Sequence, residues 1–153
     1  MEITTSSPDE TKEFGRNFAQ KITKIIDNEP VVLALQGELG GGKTTFIQGF
    51  AKGLGICERI TSPTFIIINK HKIKNIEEIS TPFNFLYHMD CYRINDEADL
   101  GALNFNEMIT TPGNIVAIEW AERIKNALPD NTINIKFKEL EKNKRKIIVD
   151  RQV

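Results

Sequence analysis

The sequence predicts a three-layer α/β fold whose central sheet mixes parallel and antiparallel strands. An apolar run at residues 31–35 is followed by a glycine-rich turn and a helix pattern, an order typical of α/β proteins. Two alternating segments at residues 133–137 and 147–150 predict a closing hairpin, which adds antiparallel strands. No repeat or low-complexity linker divides the chain, so we expect a single domain over residues 1–153.

The first element is a helix that the pattern predicts from residue 8 to about residue 28. Ser7 can cap this helix, Pro8 suits its first position, and Glu10 completes a capping box. Its buried face consists of apolar residues at helical spacing, namely Phe14, Phe18, Ile22 and Ile25.

The later elements alternate between strands and helices. A helix over residues 43–52 follows the glycine turn, and Gly53 or Gly55 can end it. Further strands are predicted at residues 64–69, 85–90 and 115–119, and short helices at residues 96–103, 106–109 and 121–127.

The charge balance and the cysteine pattern argue against several classes of protein. Lys and Arg total 20 against 21 for Asp and Glu, so no global field draws the chain to nucleic acid or to a membrane. No apolar run reaches the ~20 residues that span a bilayer, and the N-terminus lacks the apolar core of a signal peptide. Cys57 and Cys91 form no C-x-x-C pair, which favours reduced thiols over a zinc site or a disulfide. We therefore expect a cytoplasmic protein.

A basic cluster near the C-terminus is interpreted as a solvated hairpin turn rather than as an RNA contact. Its members are Lys142, Lys144, Arg145 and Lys146. Any RNA contact would then be local or carried by a partner.

Residues 37–44 match the phosphate-binding pattern G-x-x-x-x-G-K-[ST] at every position. Glycine lets the backbone curl so that consecutive N–H groups point at phosphate oxygens, and the following helix adds its positive end. Lys43 can reach the β- and γ-phosphates, the Thr44 hydroxyl can ligate Mg²⁺, and Thr45 is placed to touch the α-phosphate. The predicted nucleotide-binding residues of this segment are Gly37, Gly40, Gly41, Gly42, Lys43, Thr44 and Thr45. The alternative is a glycine-rich turn without a ligand, but roughly one chain in 200 of this length would match by chance.

Two acids at strand ends are candidates for catalysis, together with Lys43. Glu119 ends the apolar strand at residues 115–119, where it can hold Mg²⁺ or polarise the attacking water. Asp90 ends the strand at residues 85–90 and is a candidate for the same two tasks, although a strand-end Asp is more often a turn residue. Which of the two acids orients the water stays open.

Ser62 and Thr64 lie in a hydroxyl-rich turn that can act as a switch whose Thr senses the γ-phosphate. An ordinary turn containing a proline explains the same segment equally well. Trp120 follows Glu119 directly, and a lone tryptophan is more often a core residue than a ligand.

Three further blocks follow the glycine loop: SPTF at residues 62–65, HMDCYR at residues 88–93 and IEWAE at residues 118–122. Together with the loop, in this order and at this spacing, they resemble the TsaE family, the bacterial P-loop ATPases of tRNA threonylcarbamoyladenosine biosynthesis. The glycine loop is shared by many families, whereas the other three blocks together are quite specific. The resemblance spans nearly the whole chain, from Thr11 to the hairpin at Arg145.

The resemblance implies that the chain binds ATP and Mg²⁺ and hydrolyses ATP, without transferring the threonylcarbamoyl group itself. Carried over by residue, it implies that Lys43 and Thr44 hold phosphate and Mg²⁺ and that Glu119 binds Mg²⁺. It also implies that Asp90 and Trp120 lie near the nucleotide.

The resemblance further implies that Thr11 approaches the nucleotide base. The implied partners are the TsaB and TsaD proteins in a heteromeric complex, so contact with tRNA is indirect and no membrane is involved. Two departures from the family pattern stand out. The stretch at residues 69–84 is longer and richer in Lys, Asn and Ile than usual, and Cys91 fills a position where an apolar residue is common.

Three other functions fit parts of the pattern. A small P-loop kinase would close a lid that brings arginines onto the transferred group, yet the arginines here are scattered along the chain. A GTPase switch usually carries N-K-x-D, but residues 69–72 place Lys72 where the acid is needed. A nucleotide-stabilised scaffold with very slow hydrolysis fits the same glycine loop.

Overall fold

The computed structural model describes residues 1–24, 29–62, 67–74, 81–94, 97–141 and 143–150, and their strands form one seven-stranded sheet. The strands are β1 (Glu2–Thr5), β2 (Val31–Gln36), β3 (Ile68–Lys72), β4 (Phe85–Asp90), β5 (Asn114–Glu119), β6 (Ile133–Glu141) and β7 (Lys144–Val149). Their order across the sheet is β1-β7-β6-β2-β5-β4-β3. The four central strands run parallel, while β1, β7 and β3 pair antiparallel with their neighbours. The predicted mixed α/β sheet is confirmed.

Helices cover both faces of this sheet. The α-helices are α1 (Pro8–Ile22), α2 (Lys43–Gly53) and α3 (Phe105–Thr110), and 3₁₀ helices span Glu97–Leu103 and Ala121–Ala127. Helices α1 and α2 pack with Leu33 of β2 in one apolar cluster, and α3 packs with Val32 in a second cluster on the other face. Because β2 alternates between two buried faces, all but its last residue are apolar. No helix within the described ranges is long and apolar enough to cross a membrane.

The start of α1 has the predicted N-cap at Ser7, but Glu10 accepts from the Ser6 N–H and not from the Ser7 N–H that a capping box uses. The Ser7 hydroxyl accepts from the Glu10 N–H at 3.1 Å, and the Glu10 carboxylate accepts from the Ser6 N–H at 2.7 Å. The predicted end near residue 28 is wrong, because the helix stops at Ile22. The Thr23 hydroxyl donates to the Gln20 carbonyl, a local hydrogen bond that competes with continued helix. Residues 25–28 lie outside the described part of the chain.

The strand predicted at residues 64–69 overlaps the observed β3 at Ile68 and Asn69. Residues 63–66 lie outside the described ranges, and the strand that follows them, β3, begins only at Ile68 and continues to Lys72. Among the described strands it pairs with β4 alone, at an edge of the sheet, and edges tolerate the polar residues that hid it from the hydrophobic pattern. The N-K-x-D-like segment at residues 69–72 therefore lies inside a strand.

Other differences affect lengths and helix types. Strand β1 was not predicted, and it pairs with β7 at the opposite edge. The closing hairpin is longer than expected, since β6 reaches Glu141 and β7 begins at Lys144. The helices predicted at residues 96–103 and 121–127 are 3₁₀ segments, although Asp96 itself is not among the described residues.

Helices α1 and α2 approach each other backbone to backbone. A β-carbon at Gly49 of α2 would overlap the carbonyl group of Lys12, and one at Gly15 of α1 would overlap the carbonyl oxygen of Phe46. Only glycine permits this separation. The contact fixes α2 behind the glycine turn that precedes it, so the packing of α1 helps to position that turn.

We expect Gly49→Ala to lower the free energy of unfolding by about 1–3 kcal/mol, because the added methyl group must push the two helices apart. Gly101→Ala is the matched control, since a β-carbon at Gly101 meets no atom within 4 Å. We expect the control to change stability by less than about 0.5 kcal/mol. Urea unfolding of both variants measures the difference, and equal effects would contradict the close approach.

Candidate phosphate-binding site

The segment between β2 and α2 is a tight glycine loop. Gly37, Gly40 and Gly42 have positive φ angles of 135°, 77° and 99°, a region that residues with a side chain rarely adopt. A β-carbon at Gly37 would also overlap the carbonyl oxygen of Phe137 in β6. The first turn of α2 adds amide groups that have no partner within the helix. Strand, glycine loop and helix N-terminus therefore occur in the order that a phosphate cradle requires.

Lys43 bends back over this loop. Its Nζ donates to the carbonyl oxygens of Gly37 at 2.6 Å and Glu38 at 2.9 Å, and it lies 4.0 Å from the ring centroid of Trp120. Burial lowers the pKa of Lys43 from its ordinary value, and the nearby carboxylates, led by Glu119, oppose that shift. The loop thus holds a buried ammonium group at its centre.

Thr44, Glu119 and His88 form a hydrogen-bonded chain beside the loop. The Thr44 hydroxyl lies 2.7 Å from Oε1 and 2.9 Å from Oε2 of Glu119, and Nε2 of His88 lies 2.8 Å from the same Oε1. Glu119 ends β5, which runs parallel to β2 and pairs Glu119 with Leu35 in register. Because both strands end at the same edge of the sheet, the carboxylate reaches the first turn of α2.

Asp90 ends the next strand, β4, directly beside Glu119 in register. Its Oδ2 accepts from the Ser62 hydroxyl at 2.9 Å, and its Oδ1 accepts from the Tyr92 N–H at 2.9 Å. Both acids are buried, with exposed fractions of 5% for Asp90 and 4% for Glu119. Two carboxylates therefore converge on one edge of the sheet, next to the ammonium group of Lys43.

Trp120 forms a wall of the site. It follows β5 in the left-handed conformation, with φ of 58°, which turns the chain sharply after Glu119. Its ring centroid lies 5.1 Å from that of Tyr92. Trp120 is half-buried and faces Lys43, so it belongs to the site and is not simply a core residue.

The site encloses a cavity of about 370 Å³. The sequence-predicted residues that line it are Gly40, Gly41, Gly42, Lys43, Thr44, Thr45, Ser62, Asp90, Glu119 and Trp120. Gly37 lines a neighbouring cavity together with Glu38 and Phe137. Thr64 lies outside the described residues, so its proposed switch role stays a prediction.

Thr11 lies beneath the loop rather than on its surface. Its side chain is fully buried, and its hydroxyl donates to the Ser7 carbonyl and shares a hydrogen bond with the Thr5 hydroxyl. Its methyl group would lie 3.7 Å from a β-carbon at Gly42. A contact between Thr11 and a base stays a prediction, and the contacts seen here assign the residue to packing under the loop.

Arg145 is a site neighbour that the interpretation of the basic cluster missed. Alternation along β7 places Arg145 on the same face as the buried Ile147, and a β-carbon at Gly42 would lie 2.9 Å from Arg145 Cδ. The interpretation of Arg145 as part of a solvated hairpin is incomplete, because its aliphatic stem lies against the glycine loop while its guanidinium group donates to the Asn143 carbonyl at 3.4 Å at the surface. Lys144 and Lys146 do fit it, since their ion pairs with Glu141 and Glu2 lie at the surface.

The oxygen atoms at the site fit a magnesium ion. Mg²⁺ prefers oxygen ligands and takes one or two from protein, with the rest from phosphate and water. The Thr44 hydroxyl and the Glu119 carboxylate supply such a pair, and Asp90 offers a second carboxylate. Among the described residues, no group of three or more His, Cys, Asp or Glu side chains could hold a metal ion, so a cage built only of such side chains does not occur there.

Comparison with known proteins shows what the chain is similar to. Residues 5–147 match the family model of the threonylcarbamoyl adenosine biosynthesis protein TsaE. The chain belongs to the TsaE family.

Individual relatives in the family cover most of the chain. The tRNA threonylcarbamoyladenosine biosynthesis protein TsaE of Bacillus subtilis is 37% identical over 94% of this chain and 80% of its own length. The Treponema pallidum protein of the same name is 38% identical over 97% of this chain and 99% of its own length. The crystal structure of Bacillus subtilis YdiB superposes with a TM-score of 0.73 at 32% identity, covering 97% of this chain and 83% of that one.

Cys91 follows Asp90 directly, and its surroundings explain why a thiol is tolerated there. The side chain is fully buried in the apolar cluster beneath α3. Burial, helped by the negative charge of Asp90, raises the pKa of Cys91 to about 12. The thiol therefore stays protonated and packs like a small apolar group.

We expect the exposed Cys57 to react rapidly with a thiol reagent at pH 8, and Cys91 to react only in denaturant. The raised pKa also links ionisation to stability, with a definite sign. The protonated Cys91 thiol makes its full contribution to the free energy of unfolding below the unfolded pKa of ~8.5. That contribution is lost as pH rises toward about 12, because the thiol ionises more easily in the unfolded chain. Counting reactive thiols with and without denaturant tests the predicted difference in reactivity between Cys57 and Cys91. Cys57→Ser is the control, because it should leave no fast-reacting thiol in the folded protein. Two fast thiols in the folded protein would contradict it.

Proposed function

We propose that the chain binds ATP with Mg²⁺ and hydrolyses it as the ATPase component of tRNA threonylcarbamoyladenosine biosynthesis, working with TsaB and TsaD. The observation that carries this proposal is the convergence of Lys43, Thr44 and Glu119 on one glycine loop. Membership of the TsaE family supplies the pathway. The proposal places the chain in the cytoplasm, with its contact to tRNA made through its partners.

Lys43 and the loop amides would hold the phosphates. The ammonium group already has two oxygen partners, the carbonyls of Gly37 and Glu38, so phosphate oxygens would replace oxygens of similar geometry. A charged acceptor forms a stronger hydrogen bond to an ammonium group than a neutral carbonyl does, which favours this exchange. Trp120 stays beside the cation and keeps water from that side.

Thr44 and Glu119 would hold Mg²⁺, which neutralises negative charge on the phosphates when it is bound. Hydrolysis joins a water oxygen to the γ-phosphorus and breaks the bond to the ADP oxygen. A carboxylate must orient that water, and Asp90 and Glu119 both lie at the edge of the sheet where it would stand. Ser62 donates to one oxygen of Asp90 and the Tyr92 amide donates to the other.

We expect Lys43→Ala to weaken ATP binding by about 100-fold, because it removes a charge-assisted contact to phosphate. Isothermal titration calorimetry with Mg²⁺ and ATP measures the loss. Lys52→Ala is the control, since Lys52 lies exposed at the other end of α2. Equal ATP affinities for the two variants would contradict the assignment of the glycine loop to nucleotide binding.

The pathway is tested by reconstitution. We expect tRNA, a threonylcarbamoyl donor, TsaB, TsaD and ATP to yield the modified adenosine in quantity only when this chain is added. The Lys43→Ala variant should not support formation of the modified adenosine, because the reaction then lacks ATPase activity. Free phosphate should accumulate with turnover, whereas a phosphorylated product would indicate a kinase. A yield that does not depend on the chain would overturn the pathway assignment.

A further inference from the structure

His88 is a buried polar residue that the proposed chemistry does not use. It lies on β4 two residues before Asp90, and its side chain is fully buried. Its strand neighbours Leu86 and Met89 are apolar and also fully buried. A polar ring in such surroundings costs stability unless its nitrogens are hydrogen-bonded, so packing alone does not account for a histidine at this position.

Among the described residues, one nitrogen of the ring has a partner and the other has none. Nε2 lies 2.8 Å from Oε1 of Glu119, and Nδ1 is buried without a hydrogen-bond partner among the described residues. A carboxylate oxygen accepts hydrogen bonds, so the contact is assigned to an Nε2–H group that donates to Oε1 of Glu119. Within the described part of the chain, the polar contact that the His88 ring makes is therefore directed at one carboxylate.

That carboxylate is held from two sides. Oε1 of Glu119 accepts from both His88 and the Thr44 hydroxyl, while Oε2 has the longer contact to Thr44. The ring thus fixes the rotation of the carboxylate relative to the first turn of α2. Ligands of metal ions are commonly oriented by such outer hydrogen bonds, and loss of one typically weakens metal binding ~10- to 100-fold.

We propose that His88 is a positioning residue whose Nε2–H holds the Glu119 carboxylate against the Thr44 hydroxyl and so preorganises the magnesium site. The inference rests on the proposed function, since it takes Glu119 and Thr44 as the groups that face Mg²⁺. The hydrogen-bond donor is what positions Glu119, so another N–H group at the same place should replace the imidazole ring.

The first test needs neither metal nor nucleotide. Nitrogen-15 NMR of the wild-type chain, with the second histidine, His71, removed by His71→Gln to assign the signals, reports which ring nitrogen is protonated. We expect a proton on Nε2, the nitrogen that lies 2.8 Å from Oε1 of Glu119. A proton on Nδ1 in place of Nε2 would overturn the proposal, because the ring could not then donate to Glu119.

The second test compares wild type with variants of His88. It measures how tightly Mn²⁺ binds to each protein in the presence of ADP, using electron paramagnetic resonance to detect the metal ion. His88→Met fills the space without a donor, and His88→Gln places an amide N–H at a similar reach. Leu86→Val is the matched control, because it trims a buried neighbour on the same face of β4 without touching the carboxylate.

We expect the Mn²⁺ dissociation constant to rise ~10- to 100-fold in His88→Met, with His88→Gln and Leu86→Val remaining within about threefold of wild type. An unchanged constant in His88→Met would overturn the proposal. So would an equal loss in Leu86→Val, which would show a general loosening of the strand, or an equal loss in a folded His88→Gln. Absence of Mn²⁺ binding in the wild-type complex would instead overturn the proposed function. If His88→Met does not fold, the Gln variant and the NMR result still decide the matter.

Discussion

The site depends on one constraint of the sheet, the common direction of β2, β5 and β4. Parallel neighbours end at the same edge, so the residues that follow β2 and those that end the other two strands meet without any long connection. The register places Glu119 beside Leu35 and Asp90 beside Glu119. A shift of one residue in either pair would turn an acid to the opposite face, so the chemistry of the site is fixed by backbone pairing.

The sequence predicted those features that are encoded locally. Strand β4 has the predicted bounds, β2 and β5 differ by one residue, and the loop between residues 36 and 43 follows from its glycines. These segments are continuous apolar runs or a motif in which each residue type has a physical task. The edge strands β1 and β3 have no such signal, because an edge is half solvated and its polar residues mimic a loop.

The contacts that the sequence did not predict connect distant segments. His88 and Glu119 are 31 residues apart, and their contact exists only because β4 and β5 pair in one register. Arg145 reaches Gly42 because β7 begins earlier than its apolar pattern indicates. The alternation of His88 and Asp90 on one strand face was visible in the sequence, yet nothing local identified the partner of the histidine.

The reactive groups of the site are all engaged by the chain itself, which bears on how tightly it can bind a ligand. Lys43 has two carbonyl partners and an aromatic ring, and the Thr44 hydroxyl is bonded to Glu119. Ligand binding at such a site exchanges hydrogen bonds, so only the difference between old and new partners contributes to affinity. The same internal bonds hold the side chains close to their working positions, which reduces the entropy lost on binding. The internal hydrogen bonds thus both preorganise the site and reduce the net gain from a new ligand, and His88 contributes to the preorganisation through its contact with the carboxylate that also bonds Thr44.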